Sequence, residues 1–132
     1  MEREGWLALR KQSQAYWAQA RADYATAVTL IDAGIYYASV FFSQQAAEKA
    51  LKAASISAHH RNPRGHHLIQ IADSVDAPIE VMNAAAELNA DFLASRNPEA
   101  VDGVPAQMYD SESARIHLRA AQEIIAWAKR SI

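Results

Sequence analysis

A chain of 132 residues, 51% of them apolar, is long enough to build one domain around a buried core. Only 4 Gly and 4 Pro leave too few turn formers for an all-β fold, and the lack of Cys excludes disulfides, thiolate catalysis and Cys-ligated zinc. Lys+Arg 13 against Asp+Glu 15 gives a formal charge of −2, so no global basic field draws in nucleic acid, although a local patch can still form.

The start, Met1-Glu2-Arg3-Glu4, is charged and leads into no apolar h-region, which argues against a signal peptide. No apolar run reaches the roughly 18 residues of a membrane span. A soluble cytoplasmic protein with no membrane contact is the expectation. The first helix is expected from near Trp6 to about Ala33, with Trp17, Ala20, Tyr24, Ala27 and Ile31 three and four apart on one stripe. Gly34 supplies its C-terminal stop. The second helix is expected from about Ile35 to Ala58. It carries Ile35, Ala38, Phe42, Ala46, Ala53 and Ile56 on one face and Val40, Gln44, Ala47, Leu51 and Ala54 on another. Two faces rich in small residues place it at the centre, packed between several neighbours.

Asn62-Pro63-Arg64-Gly65 breaks the chain, and a short helix over about His67 to Val75 follows. Asp76 is a candidate N-cap for the next helix, with Pro78 and Glu80 in its first turn. Val81, Ala85, Leu88 and Phe92 form its inward stripe, and it should end near Ser95. The last helix starts after Asp110, a second candidate cap, and aligns Ala114, His117, Ala121, Ile124 and Ala128. Between them, residues 95–109 are long for a structureless connection, and segments of that length often serve function. A groove of the dimer or complex is what this segment is expected to close over. The fold class is therefore all-α: a single domain over residues 1–132, an antiparallel up-and-down helical bundle of four long helices plus one short helix.

One run is distinctive: Gly34-Ile35-Tyr36-Tyr37-Ala38-Ser39-Val40-Phe41-Phe42-Ser43-Gln44-Gln45-Ala46-Ala47-Glu48-Lys49-Ala50-Leu51-Lys52-Ala53. It resembles the signature of HEPN domains (higher eukaryotes and prokaryotes nucleotide-binding domains). His66-His67-Leu68 is similar to the His-x-Leu entry to that family's short third helix, and Ser95-Arg96-Asn97-Pro98 to its Arg-aromatic-Pro segment, with Asn97 replacing the aromatic. The resemblance spans about Trp17 to Trp127. It implies a helical bundle that forms a two-fold homodimer, often beside a small nucleotidyltransferase partner. Some members are metal-independent ribonuclease toxins; others bind nucleotides or are non-catalytic modules.

Ribonuclease members pair an Arg with a His a short gap later. Imidazole can move protons between the 2′-hydroxyl and the leaving oxygen, and a guanidinium can stabilise phosphate charge. Arg96 stands where that motif would begin, yet the next His is His117, too far along. Arg61-Asn62-Pro63-Arg64-Gly65-His66 has the right residues and gap in a different connection, so Arg61 and His66 are the catalytic candidates and chance is their competitor. Phosphate or nucleotide contacts are expected from Lys49, Lys52, Arg64, His67 and Arg96.

Each candidate has a plainer reading. Glu48 and Lys52 form a favourable i, i+4 pair, and Gln44, Gln45, Glu48 and Lys49 fit a solvated face or a dimer contact. His59, His60, Arg61, Arg64, His66 and His67 gather around one turn and suit phosphate, RNA backbone or an acidic partner. They equally suit a solvated loop in which His66 or His67 caps the short helix. His117 fits a buried, hydrogen-bonded histidine, and Trp6, Trp17 and Trp127 fit packing roles. Asp23, Glu87 and Asp91 have the spacing of solvated helix faces rather than of a carboxylate site. No metal site and no cofactor is expected.

Three functions follow. The first is a dimeric, nucleotide- or RNA-associated module that works with a minimal nucleotidyltransferase partner in a toxin–antitoxin-like system. The second is a metal-independent endoribonuclease toxin, and the third a purely structural assembly module.

Overall fold

Apolar residues at helical spacing, with few breakers, produce long helices here. The computed structural model describes residues 2–89, 95 and 97–132. Among them run α1 (Glu2–Asp32), α2 (Tyr36–His59), α3 (Leu68–Ser74), α4 (Ile79–Asn89), the one-turn α5 (Pro98–Val101) and α6 (Ser111–Ala128), and no strand is present. Short 3₁₀ turns at Pro105–Gln107 and Lys129–Ser131 complete the path. The architecture is the expected all-α antiparallel bundle. No described helix is long and apolar enough to cross a membrane.

Gly34 ends α1 as expected. Its φ of 77° is left-handed, and Ile35 N–H donates to Leu30 O (2.8 Å) while Gly34 N–H donates to Ile31 O (2.9 Å), a Schellman pair. The turn folds α2 back along α1. The two helices approach closely because small residues face each other. Ser13 Oγ donates to Ala53 O and Ser39 Oγ to Ala27 O, each at 2.8 Å. These hydroxyls saturate themselves on backbone carbonyls that already serve the helices, so neither is stranded between them.

The central position of α2 is also as read from its two small-residue faces. It packs on α1, α3, α4, α6 and the first 3₁₀ turn. Ala46, Ala47, Ala50, Leu51 and Ala53 have no exposed surface at all. The main core joins α2 to Ala20, Leu68, Ile71, Val81, Ala85, Leu88, Ala121 and Ile124, and a smaller cluster sets Ile31, Val40 and Ala114 together.

One expectation needs correction. Asp76 does not cap α4: it adopts φ 55° and closes α3, with Asp76 N–H on Asp73 O and Ala77 N–H on Ala72 O, both 3.1 Å. Aspartate tolerates the left-handed region, and the chain must turn here before α4 can begin. Pro78 then stands at the start of α4, its carbonyl accepting from Val81 and Met82 at 3.0 Å each. The order of the connection after Ser95, left open by the sequence, is partly given by α5 and the first 3₁₀ turn, which lie in it, and by the buried Pro105. Prolines at the first helical positions start both turns. Residues 90–94, and with them Asp91, Phe92 and the stretch leading to the expected end of α4 near Ser95, fall outside the described residues.

Candidate functional site

Side chains four apart on a helix share a face, so Gln44, Glu48 and Lys52 line up along α2, with Gln45 and Lys49 beside them. Because α2 is enclosed by its neighbours, this polar row is buried rather than solvated. Gln44 is fully buried, Glu48 is 4% exposed and Lys52 8%. Buried charge is tolerable only when paired, and the row is paired from end to end. Lys52 Nζ lies 3.3 Å from Glu48 Oε2, and Gln44 Nε2 donates to Glu48 Oε1 at 3.4 Å. Gln45 Nε2 donates to Gln44 Oε1 (2.7 Å), and Lys49 Nζ donates to Gln45 Oε1 (3.3 Å). Lys49 also forms an ion pair with the buried Asp23 of α1 at 2.5 Å, and Gln19 Nε2 donates to the other Asp23 oxygen at 2.9 Å. Two carboxylates and two ammoniums thus neutralise each other inside the bundle. The solvated-face reading of Gln44, Glu48 and Asp23 is therefore corrected: the packing of α1 on α2, with the other helices around α2, buries them.

The loop between α2 and α3 closes over one end of this row. His60, at φ 56°, ends α2 with its N–H on Ile56 O, and Gly65 adopts φ 83°. Three contacts pin the loop. Ser55 Oγ donates to Arg61 O at 2.9 Å, Asn62 Nδ2 donates to Tyr16 Oη at 3.3 Å, and His66 Nδ1 meets both Glu48 oxygens at 2.9 and 3.0 Å. An ionised carboxylate only accepts, so the Glu48 contact places a proton on Nδ1. The His66 side chain is about half exposed, the Glu48 side chain only 5%, so a surface imidazole is held by a buried acid.

His67 behaves differently. Its Nδ1 accepts from Gln70 N–H at 3.3 Å as the N-cap of α3, and its Nε2 faces Asn89 Nδ2 at 3.4 Å while Asn89 Oδ1 takes Leu68 N–H at 2.8 Å. These bonds satisfy the first orphan amides of α3. His59, His60, Arg61 and Arg64 are exposed around the turn. His117 is half-buried, hydrogen-bonded to Ser113 O at 2.6 Å and edge-on to Tyr109. Trp17 and Trp127 pack against the core, whereas Trp6 is 45% exposed under the Arg10 guanidinium.

Of the residues nominated from sequence, Lys52 and His66 converge on one carboxylate, while Lys49 sits further along the same row on Asp23. Arg61 and Arg64 project from the loop above, His67 caps α3, and Arg96 lies outside the described residues. The residue that sequence reasoning missed is Glu48, the hub. Its neighbours Ala46, Ala47, Ala50 and Leu51 mark α2 as a core helix, but they lie on other faces and leave open whether the face of Glu48 meets water or protein. Among the described residues, no group of three or more His, Asp or Glu is arranged to hold a metal ion. Chemically, the site offers a held imidazole, a buried ammonium and two solvent-facing guanidiniums, a set suited to anionic oxygen.

Comparison with known proteins agrees with the all-helical fold. TT1696 from Thermus thermophilus is similar at 28% identity with a TM-score of 0.85, covering 92% of this chain and 98% of that one. ST0689, an archaeal HEPN homologue, is similar at 27% identity with a TM-score of 0.80, covering 90% of this chain and 96% of its own. No curated protein matches. The HEPN domain profile matches residues 13–131, nearly the whole bundle, including the buried row and the loop above it, and the chain therefore belongs to the HEPN domain family.

Proposed function

We propose that this HEPN domain protein binds the phosphate groups of a nucleotide or RNA at the α2–α3 loop, folding as one domain and acting as a homodimer beside a minimal nucleotidyltransferase in a toxin–antitoxin-like system. The observation that carries the phosphate reading is the pairing of exposed Arg61 and Arg64 with a His66 that is held on Glu48 next to Lys52. Guanidiniums on a pinned loop lose little freedom on meeting a phosphate, and Arg suits its planar geometry. The dimer and the partner rest on what HEPN proteins commonly do.

Calorimetric titration with inorganic tripolyphosphate tests the phosphate reading. The wild type should bind, and Arg61→Ala with Arg64→Ala should weaken binding by roughly ten-fold or more. Absence of binding by the wild type would refute it. Sedimentation should give twice the 14.5 kDa chain mass.

A second reading, metal-independent endoribonuclease, gains from the Glu48–His66 contact, because a carboxylate that fixes the ring also prepares Nε2 to accept a proton. RNA cleavage in EDTA that His66→Ala and Arg61→Ala both abolish would establish it. Intact RNA would leave the binding module as the function.

A further inference from the structure

A shallow groove of about 200 Å³ runs along α1 beside the pinned loop, lined by Gln12, Ala15, Tyr16, Gln19 and Lys49. Its surface is almost wholly carbon, although four of its five lining side chains are polar at their tips. Such a surface, apolar walls with a few polar groups at the rim, is what a flat heteroaromatic ring requires. Tyr16 ties the groove to the cationic loop, since its hydroxyl accepts from Asn62, the neighbour of Arg61. Groove and loop therefore meet at Tyr16, with the apolar wall on the α1 side and Arg61 and Arg64 on the loop.

The rim has a fixed polarity. Gln19 Nε2 donates to the Asp23 carboxylate at 2.9 Å, and a carboxylate can only accept, so the amide cannot be flipped. With Nε2 engaged on Asp23, Oε1 is the amide atom that Gln19 has left to accept from a ligand, and an exocyclic amino group would suit it. Lys49 is neutralised by Asp23 in the same cluster, so its stem serves as wall while the loop supplies the charge. The volume suits one base rather than a run of stacked bases.

We propose that this groove is the base subsite of a free purine nucleotide bearing an amino group: the ring lies against Tyr16 and Ala15, and the phosphates reach Arg61 and Arg64. The inference rests on the phosphate reading given above and adds the base to it.

The test is calorimetric titration of the full chain with ATP, tripolyphosphate and a six-nucleotide oligoadenylate, in the wild type, Tyr16→Ala and Tyr16→Phe. ATP should bind roughly ten-fold or more tightly than tripolyphosphate, as stacking of one base on an aromatic ring predicts. Tyr16→Ala should erase that advantage, and its tripolyphosphate affinity should match that of Tyr16→Phe within about two-fold, because both variants lose the same Asn62 bond. Tyr16→Phe keeps the ring and loses only the Asn62 bond, so it should keep the advantage.

Equal affinity for ATP and tripolyphosphate in the wild type would overturn the base subsite while leaving the phosphate site standing. Failure of both ligands to bind would overturn both. Loss of the ATP advantage in Tyr16→Phe would trace the effect to the loop tether and sink the stacking role. Tighter binding of the oligoadenylate than of ATP would replace the free nucleotide with a strand-binding track.

Discussion

Glu48 serves three neighbours at once, Gln44, Lys52 and His66, and their unequal burial sets how much each contact matters. Removing Glu48 leaves the Lys52 ammonium inside the bundle with no acid beside it, a loss of about 3 kcal/mol or more. Removing His66 takes away a half-exposed partner, and water replaces it at a cost of under about 1 kcal/mol. Urea denaturation should therefore show Glu48→Ala far less stable than His66→Ala. Equal losses would mean that Lys52 finds another acceptor and that Glu48 is not the hub. The same hierarchy explains why the nominated residues were only partly legible in the sequence. Lys52 and His66 are chemically conspicuous. Glu48, with its i, i+4 lysine, looks the same in sequence whether it faces water or protein, and only enclosure by α1 and the loop makes it central.

At the scale of elements, α6 carries the sharpest local signal. Asp110 Oδ1 accepts Ser113 N–H at 2.8 Å, and Asp110 N–H donates to Ser113 Oγ at 3.0 Å, a reciprocal capping box. Hydrogen bonds from Ser113 to the ionised carboxylate hold the Asp110 carboxyl below its usual 3.8. A depressed folded value means that the cap stabilises above 3.8 and loses its effect as pH falls through the lower folded value. Asp110→Ala should thus melt a few degrees below wild type at pH 7, with the gap closing in melts below pH 3.8. A gap that persisted in strong acid would contradict the assignment of the cap. Asp110 was readable because capping depends on residues within one turn. Asp76 misleads for the same reason in reverse: the residue types that cap a helix also close one in the left-handed region, and the preceding helix decides which.

At the scale of the molecule, α2 packs on α1, α3, α4 and α6 and joins the cores that they contribute. A helix shared in this way couples its neighbours into one transition. Urea unfolding followed by Trp17 and Trp127 fluorescence should coincide with unfolding followed by far-ultraviolet circular dichroism. Two separated transitions would show that α1–α2 and α3–α6 fold independently, against a single domain. The net charge of −2 is a further whole-molecule fact with a local consequence. Long-range steering of an anion is weak, so the phosphate binding proposed for the α2–α3 loop has to draw on groups within about a Debye length, roughly 8 Å at physiological salt.

The order and type of the helices, the Gly34 stop, the Asp110 cap and the centrality of α2 were determined by the sequence itself. They depend on periodicity, small-residue content and turn chemistry, all of which act within a few residues. Tertiary structure alone decided that the row from Asp23 to Lys52 is buried, that His66 rather than His67 meets it, and that the loop lies against Tyr16. Burial and pairing of charge are properties of what neighbouring helices cover. Contacts across 18 or 46 positions of chain, such as His66 to Glu48 and Asn62 to Tyr16, leave no periodic trace in the segments that make them.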